Sequence, residues 1–198
     1  MKIIALDGAS GTGKSVLIGQ LNAYFRNTPG IRNDQVRIER LLDSELEKRL
    51  DDLKKTSSME EQRPEYCETL IRAYRDGCAR LHREDAIFQR ENDGCELIFI
   101  LDRYLFSLYA IQGLQWGIRG LYDQCRDIQK PELQFLIRLA SRMRPEDQIF
   151  QVATEEWRRH GYRPARTIQN TLSYNDQKLD PAGYLEVRSA ILDYLHTL

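Results

Sequence analysis

The sequence predicts an α/β fold with a parallel central sheet, because short apolar runs alternate with longer segments of helical periodicity. Residues 3–6 form an apolar run that leads into a glycine-rich turn, and residues 97–101 form a second apolar run between helical segments. An uninterrupted apolar run of this kind is typical of a parallel strand that helices cover on both faces. The chain has 198 residues, a length that fits one domain, and we expect that domain to span residues 1–198.

The other elements follow from weaker patterns. Apolar residues recur at helical spacing in five segments, which predicts helices there: after the glycine-rich turn, over residues 65–90, from residue 105, over residues 145–159 and from Pro181 onward. Further strands are favoured over residues 35–38 and near residues 133–139, and a solvated pair of helices over the charged residues 41–63. Residues 160–179 are polar and lack periodicity, so we expect a mobile loop there.

Composition and charge limit the kinds of molecule that the chain is expected to bind. The formal net charge is −1, so we expect no nucleic-acid partner and no attraction to an anionic membrane. No apolar run approaches the roughly 20 residues of a membrane-spanning helix, and the first residues lead directly into a strand, which argues against a signal peptide. The four cysteines and three histidines are scattered, which favours reduced thiols in a cytoplasmic protein and disfavours a structural metal site.

Residues 8–15 read Gly-Ala-Ser-Gly-Thr-Gly-Lys-Ser, a complete Gly-x-x-x-x-Gly-Lys-Ser phosphate loop directly after the first strand. Such a loop presents backbone N–H groups and a helix N-terminus to a polyanion. In a loop of this pattern, Lys14 would reach the β- and γ-phosphates and the Ser15 hydroxyl would ligate Mg²⁺. The alternative interpretation of the segment is an ordinary glycine turn. The sequence therefore predicts binding of ATP and Mg²⁺ at eight residues: Gly8, Ala9, Ser10, Gly11, Thr12, Gly13, Lys14 and Ser15.

Asp102 and Arg103 stand at the end of the second apolar run. Open α/β sheets bind their ligands at the carboxyl ends of the strands, where the Asp102 carboxylate would hold Mg²⁺ through water or orient the attacking group. Arg103 would offer a planar guanidinium to a phosphate. A helix N-cap is the alternative role for Asp102, and simple solvation is the alternative for Arg103.

The segment over residues 102–113 closely resembles the Asp-Arg-Tyr segment of the thymidylate kinase family, a branch of the nucleoside monophosphate kinases. It reads Asp102-Arg103-Tyr104-x-x-Ser107-x-x-Ala110-x-Gln112-Gly113. The resemblance implies a three-layer P-loop kinase fold with a five-stranded parallel sheet, flanking helices and a mobile lid over about residues 158–179. It also implies transfer of the γ-phosphoryl group of ATP to an acceptor phosphate, and it suggests a homodimer formed through helices.

The resemblance assigns roles on the acceptor side. In that family the arginine of the Asp-Arg pair grips the acceptor phosphate and a glutamine faces the base, roles that would fall here to Arg103 and Gln112. Asp7 matches an acidic position that opens the family's phosphate loop, where it contacts Mg²⁺ or a sugar hydroxyl. Packing against the amides of its own loop is the alternative for Asp7.

The resemblance also bears on the cations that stabilise the transferred phosphoryl group. Some relatives place an arginine inside the phosphate loop, and this loop contains none. The lid must then supply the positive charge. Among the four arginines of residues 158–166 we favour Arg159 and Arg163. These two join Lys14 and Asp102 as the expected catalytic residues.

The chain departs from the family at three places. Residues 37–40 read Arg-Ile-Glu-Arg instead of Arg-Glu-Pro, and Glu39 would orient a sugar hydroxyl or act as a base, with a surface glutamate as the alternative. Arg72 replaces a base-stacking phenylalanine and Arg75 lies one residue before an expected arginine, so both are candidate acceptor contacts and thymine is not predicted. A relative would continue into a fifth strand beyond the last helix, so we expect either a four-stranded sheet or a shortened chain.

These observations favour an Mg²⁺–ATP-dependent phosphotransferase that acts on a nucleotide or a nucleotide-like small molecule. A nucleoside kinase or other small-molecule kinase is the second hypothesis, in which Asp102 or Glu39 deprotonates a hydroxyl group. A nucleotide-binding regulatory module without a small acceptor is the third. The adjacent Asp102 and Arg103 argue against the third hypothesis, since such a module does not need an arginine for an acceptor phosphate.

Overall fold

Five parallel strands form the centre of the described chain, in the order β2-β3-β1-β4-β5. The strands are β1 (Lys2–Asp7), β2 (Val36–Glu39), β3 (Ile98–Asp102), β4 (Leu133–Leu139) and β5 (Arg166–Asn170). The computed structural model describes residues 1–9, 11–32, 34–42, 48, 52, 59–110, 121–139, 145–159, 166–170 and 181–195. The α/β class with a parallel central sheet is therefore confirmed.

Helices cover both faces of the sheet. They are α1 (Lys14–Phe25), α2 (Met59–Glu91), α3 (Leu105–Leu108), α4 (Leu121–Gln124), α5 (Pro145–Arg159) and α6 (Pro181–Leu195). Side chains of α2, α3, α4 and α5 pack with Ile3, Phe99 and Leu136 into one apolar core, whereas α1 and α6 pack with Ile4, Ile100 and other strand residues into a second core. This alternation of buried side chains along each strand produces the three predicted layers.

The segment predicted to be a loop over residues 160–179 contains a strand, so that prediction is wrong for Arg166–Asn170. β5 pairs with β4 in parallel, and α6 follows it and packs against its outer side, where Ile168 is buried. The fifth strand thus precedes the last helix, and the expectation of a four-stranded sheet is wrong. Of the expected lid over residues 158–179, positions 158 and 159 end α5, 166–170 form β5, and the others lie outside the described residues.

Two other sequence predictions can be compared with the described residues. Cys67, Cys78, Cys95 and Cys125 are free thiols, and burial raises the pKa of Cys125 to about 11, as suits a packing residue. In the described ranges, no helix combines the length and apolar character needed to cross a membrane. Most of the helical pair expected over residues 41–63 lies outside the described chain, although positions 59–63 belong to α2.

Candidate active site

The predicted phosphate loop and the predicted Asp-Arg pair meet at one edge of the sheet. β1 pairs with β3 so that Leu6 lies opposite Asp102, and it pairs with β4 so that Asp7 lies opposite Leu136. The carboxyl ends of these three parallel strands therefore point the same way. This edge is where open α/β sheets bind their ligands.

The phosphate loop depends on two glycines for its path. Gly8 has a φ of +135°, and a Cβ atom there would lie 2.3 Å from the carbonyl oxygen of Ile137 in β4. Gly13 has a φ of +93° and immediately precedes the first residue of α1. Since L-residues rarely adopt these conformations, glycine is required at both positions. The loop is thereby pressed against β4 and turned into the start of α1.

Lys14 folds over this loop. Its Nζ donates hydrogen bonds to the carbonyl oxygens of Gly8 at 2.8 Å and Ala9 at 2.7 Å, and it lies 3.4 Å from the Thr12 hydroxyl oxygen. Thr12 is fully buried and donates its own hydroxyl to the Ala9 carbonyl at 3.0 Å. These contacts hold a buried ammonium group at the centre of the loop, as a phosphate-binding lysine requires.

The N-terminus of α1 opens toward the same place. Within the described residues no side chain caps this terminus, and its first turn contains no acidic residue. The first-turn amides and the positive end of the helix dipole therefore favour an anion. Ser15 is exposed on this turn, so its hydroxyl is accessible to a ligand. Ser10 lies outside the described residues, and its role in the loop stays a prediction.

The two carboxylate oxygens of Asp102 have different surroundings. Oδ2 accepts hydrogen bonds from Arg40 Nη2 at 2.7 Å and from Arg40 Nε at 3.2 Å. Oδ1 is buried and has no hydrogen-bond partner in the described structure, and only 9% of the side chain is exposed. A buried carboxylate oxygen without a donor is costly, unless a ligand or a cation meets it. The described residues contain no group of three or more His, Cys, Asp or Glu side chains that could hold a metal ion.

Sequence reasoning missed Arg40. It follows β2, whose carboxyl end lies at the same edge because Glu39 is opposite Leu101 in β3. The signal available in the sequence was its position two residues after the predicted strand over residues 35–38. Its guanidinium is mostly exposed, at 59% of the side chain, and is held by Asp102.

Asp7 has a structural role, and its predicted contact with Mg²⁺ or a sugar hydroxyl stays a prediction. It is fully buried, and its Oδ1 accepts hydrogen bonds from the backbone N–H groups of Tyr104 and Ser107, both at 3.0 Å, and from the Ser107 hydroxyl. Its Oδ2 accepts from Gln134 Nε2 at 3.0 Å. Asp7 thus caps the start of α3 and ties β1, β4 and α3 together. The alternative N-cap role considered for Asp102 belongs to Asp7.

Arg103 has a left-handed backbone, with a φ of +68°. Its N–H donates to the Leu6 carbonyl at 3.0 Å, so the strained conformation is fixed against β1. A non-glycine residue pays on the order of 1 kcal/mol or more for such a backbone, and this kind of strain is concentrated at functional sites.

Tyr74 from α2 lies beside Arg103. Burial raises the pKa of its hydroxyl well above the usual range, the negative charge of Asp7 raises it further, and the positive charge of Arg103 lowers it. Tyr66 and Tyr74 are buried in the core on this side of the sheet.

Two of the predicted acceptor contacts form ion pairs with other residues of the chain. Glu39 Oε2 accepts from Arg80 Nη2 at 2.9 Å, and Arg75 Nε donates to Asp127 Oδ2 at 2.8 Å. These ion pairs link α2 to β2 and to the segment after α4, and the roles predicted for Glu39 and Arg75 at the acceptor stay predictions. Arg72 is exposed on α2, and its contact with an acceptor stays a prediction.

The predicted lid arginines are described only in part. Arg159 lies in the last turn of α5, is mostly exposed and donates from Nη1 to Glu156 Oε1 at 2.8 Å. Arg163 and Gln112 lie outside the described residues. Their predicted roles at the transferred phosphoryl group and at the base are therefore not tested by this structure.

Comparison with known proteins agrees with this geometry at the level of the fold. No protein-family model matches the chain, and no curated protein matches its sequence. Among solved structures, the chain is similar to the crystal structure of thymidylate kinase from Ehrlichia chaffeensis, with a TM-score of 0.63 and 17% sequence identity. The match covers 98% of each chain. The five-stranded parallel sheet with its flanking helices is thus the fold that this structure shares.

Proposed function

We propose that this chain is an Mg²⁺–ATP-dependent phosphotransferase that moves the γ-phosphoryl group of ATP to an acceptor that already carries a phosphate, as a nucleotide does. The proposal rests on the relative position of two loops. The phosphate loop after β1 and the Asp102–Arg103 pair after β3 lie at adjacent strand ends, joined by the hydrogen bond from Arg103 N to Leu6 O. Two anion-binding groups at one edge suit a reaction in which two phosphorylated molecules meet.

The donor half of the site is the phosphate loop. Lys14 and the first-turn amides of α1 would meet the β- and γ-phosphates of ATP. The carbonyl oxygens that Lys14 now contacts belong to Gly8 and Ala9, inside the loop itself. The ammonium group is therefore already held where phosphate oxygens would enter, and little side-chain entropy remains to be lost on binding.

The residues at this edge fit Mg²⁺. Asp102 Oδ1 is a buried oxygen without a partner among the described residues, and Ser15 offers an exposed hydroxyl on the first turn of α1. Mg²⁺ prefers oxygen ligands of this kind and takes phosphate oxygens and water for the remainder. When bound, it would neutralise charge on the β- and γ-phosphates.

The acceptor half centres on Arg103. Its strained backbone fixes the direction in which the guanidinium leaves β3, and a bidentate contact to an acceptor phosphate would use that fixed direction. Arg40 adds a second guanidinium at the same edge through its contact with Asp102. Arg72 and Gln112 remain candidates for the rest of the acceptor.

A phosphate acceptor is favoured over a hydroxyl acceptor by the state of the nearby carboxylates. An acceptor phosphate is ionised at neutral pH, so its oxygen attacks without giving up a proton, whereas a hydroxyl group needs a base within hydrogen-bond reach. Asp7 already accepts four hydrogen bonds, and Glu39 is paired with Arg80. Neither is placed to remove a proton from a substrate.

One observation favours the second candidate, a kinase that phosphorylates a hydroxyl group. Asp102 Oδ1 has no partner among the described residues and would accept the proton of a hydroxyl acceptor. In that case Asp102 acts as a base instead of a magnesium ligand. A regulatory nucleotide-binding module is the third candidate, and it differs from both kinases in having no acceptor.

The lid cations, the cellular location and the oligomeric state remain predictions. Arg159 and Arg163 are our candidates for lid cations at the transferred phosphoryl group, and Arg159 would exchange its contact with Glu156 for that role. A cytoplasmic location and a helix-mediated homodimer are also expected from the sequence and its resemblance.

The test measures ADP formation from ATP and Mg²⁺ with a panel of candidate acceptors: thymidylate, the other nucleoside monophosphates, the matching nucleosides and sugar phosphates. The proposal predicts stimulation by monophosphates and none by nucleosides. Arg103→Ala should weaken the effect of the acceptor, while Arg83→Ala, an exposed arginine on α2, serves as the matched control. Stimulation by nucleosides alone would support the second candidate, and the absence of stimulation by every acceptor would contradict both kinase functions.

A further inference from the structure

Arg138 lies near the end of β4, two residues beyond the point where Leu136 pairs with Asp7. Side chains alternate between the faces of a strand. Gln134 donates to Asp7 on one face, and Leu136 is buried in the core that α2, α3 and α5 share on that face. Arg138 follows at the same spacing, so it leaves β4 on the side where Asp7 caps α3 and where Arg103 follows β3.

The backbone beside Arg138 touches the phosphate loop. A Cβ atom on Gly8 would lie 2.3 Å from the Ile137 carbonyl oxygen and 3.3 Å from its carbonyl carbon. The peptide that joins Ile137 to Arg138 is therefore in contact with the first residue of the loop. The loop and β4 are packed so closely that even a methyl group at Gly8 would not fit between them.

The Arg138 guanidinium lacks a partner in the described chain. Its Nε is buried and makes no hydrogen bond there. A guanidinium keeps its charge at all ordinary pH values, so a buried N–H group without an acceptor is costly. The carboxylate of Asp7, which lies opposite Leu136 in the neighbouring strand, already accepts four hydrogen bonds. The structure thus holds, beside the phosphate loop, a half-buried cation whose buried Nε has no acceptor among the described residues.

Arg188 shows how a half-buried arginine with a structural role is accommodated in this protein. Its Nε is also buried without a hydrogen bond, but its guanidinium lies 4.8 Å from the ring of Tyr24 and 5.6 Å from that of Tyr184. These ring faces stabilise the charge on the opposite side of the sheet. Arg138 has no such ring contact among the described residues, which separates the two arginines.

We propose that Arg138 binds oxygens of the phosphoryl group that is transferred, and this inference rests on the proposed function. The phosphate loop has no arginine at Ala9, Ser10 or Thr12. Arg138 would supply that positive charge from β4 instead. During transfer the bond from the γ-phosphorus to the ADP oxygen breaks and a bond to the acceptor oxygen forms. Arg138 keeps all its protons and stabilises the negative charge on the other phosphoryl oxygens.

The test compares the affinities of the full chain for ATP and for ADP by calorimetry in the presence of Mg²⁺. Arg138→Met should weaken ATP binding by about tenfold or more, as loss of a charged hydrogen bond does, and leave ADP binding nearly unchanged. Arg138→Lys keeps the charge without the planar fork and should fall between these values. Arg188→Met is the matched control, expected to lower the thermal unfolding midpoint and to leave the ratio of the two affinities unchanged.

Each result decides a separate point. An unchanged ratio of ATP to ADP affinity in Arg138→Met, or equal weakening of both, overturns the role of Arg138 while the proposed function stands. Failure of the unaltered protein to bind ATP contradicts the proposed function itself. If Arg138→Met does not fold, modification of the unaltered protein by phenylglyoxal decides, read by mass spectrometry: ATP should protect Arg138 and ADP should not. Equal labelling with both nucleotides overturns the inference.

Discussion

The guanidinium of Arg40 holds one oxygen of Asp102 at 2.7 Å, while the other oxygen is buried and has no partner in the described chain. The two residues follow neighbouring parallel strands, and the pair stands beside the phosphate loop. One carboxylate therefore serves two purposes. Under the proposed function, it positions an arginine on the acceptor side, and it leaves an oxygen for a cation on the donor side.

Asp102 and Arg40 should have opposite effects on the magnesium requirement. Asp102→Asn removes the charge that attracts Mg²⁺ and should raise the half-saturating Mg²⁺ concentration for ATP turnover by about tenfold or more. Arg40→Gln removes a partly exposed competing cation, so it should lower that concentration by no more than about fivefold. The measurement is initial rate against Mg²⁺ concentration at fixed ATP. Unchanged Mg²⁺ dependence in Asp102→Asn would remove Asp102 from the metal site.

Gly8→Ala should destabilise the fold. The alanine would have to adopt a φ of +135° with its methyl group 2.3 Å from the Ile137 carbonyl oxygen. We expect a loss of about 2 kcal/mol or more in the free energy of unfolding, measured by chemical denaturation. Gly19→Ala is the control, since a Cβ there meets nothing within 4 Å and α1 continues through it. That change should stabilise the protein by roughly 0.5–1 kcal/mol, and equal losses in both variants would contradict the prediction.

Asp7→Asn tests the structural role of the buried carboxylate. An asparagine offers one oxygen to the donors of Tyr104, Ser107 and Gln134, and its amide group would face another donor. We expect a loss of about 2–3 kcal/mol of unfolding free energy, because buried donors are left without acceptors. Ser107→Ala removes only the hydroxyl donor and should cost about 1 kcal/mol. A fully stable Asp7→Asn protein that no longer uses Mg²⁺ would contradict this structural role and support the predicted contact with Mg²⁺.

Arg103 has a backbone role and a side-chain role that substitution can separate. Arg103→Ala and Arg103→Gly both remove the guanidinium and should raise the acceptor KM by about tenfold or more, with ATP affinity unchanged. Glycine accepts a φ of +68° without strain, so Arg103→Gly should be more stable than Arg103→Ala by about 1 kcal/mol. Steady-state kinetics and denaturation check the two roles. Normal acceptor kinetics in both variants would show that Arg103 does not bind the acceptor.

The parts of the site that the sequence predicted are those encoded locally. The phosphate loop is a contiguous pattern after an apolar strand, and Asp102 directly follows a buried run whose end faces a ligand in this fold class. β5 was missed because it is an edge strand without an apolar run, and among its side chains at positions 166–169 only Ile168 is buried. Its polar residues resemble a loop when read along the chain.

The contacts that the sequence could not predict join distant residues. Asp7 and Ser107 are 100 positions apart, and Arg40 and Asp102 are 62 apart. Both pairs form only because the sheet order places β1, β2 and β3 side by side. Asp7 was therefore interpreted as a ligand contact, and Arg40 was passed over. The orphaned Nε of Arg138 is likewise visible only once the loop is seen to press on β4.

The most direct test of the central claim follows the γ-phosphate itself. The protein is incubated with Mg²⁺, γ-labelled ATP and each nucleoside monophosphate, and the labelled products are separated and identified. The account predicts label in a nucleoside diphosphate made from one or more of these acceptors, with none formed by Lys14→Ala. Label that appears only in inorganic phosphate, or on the hydroxyl of a nucleoside acceptor, would contradict transfer to an acceptor phosphate.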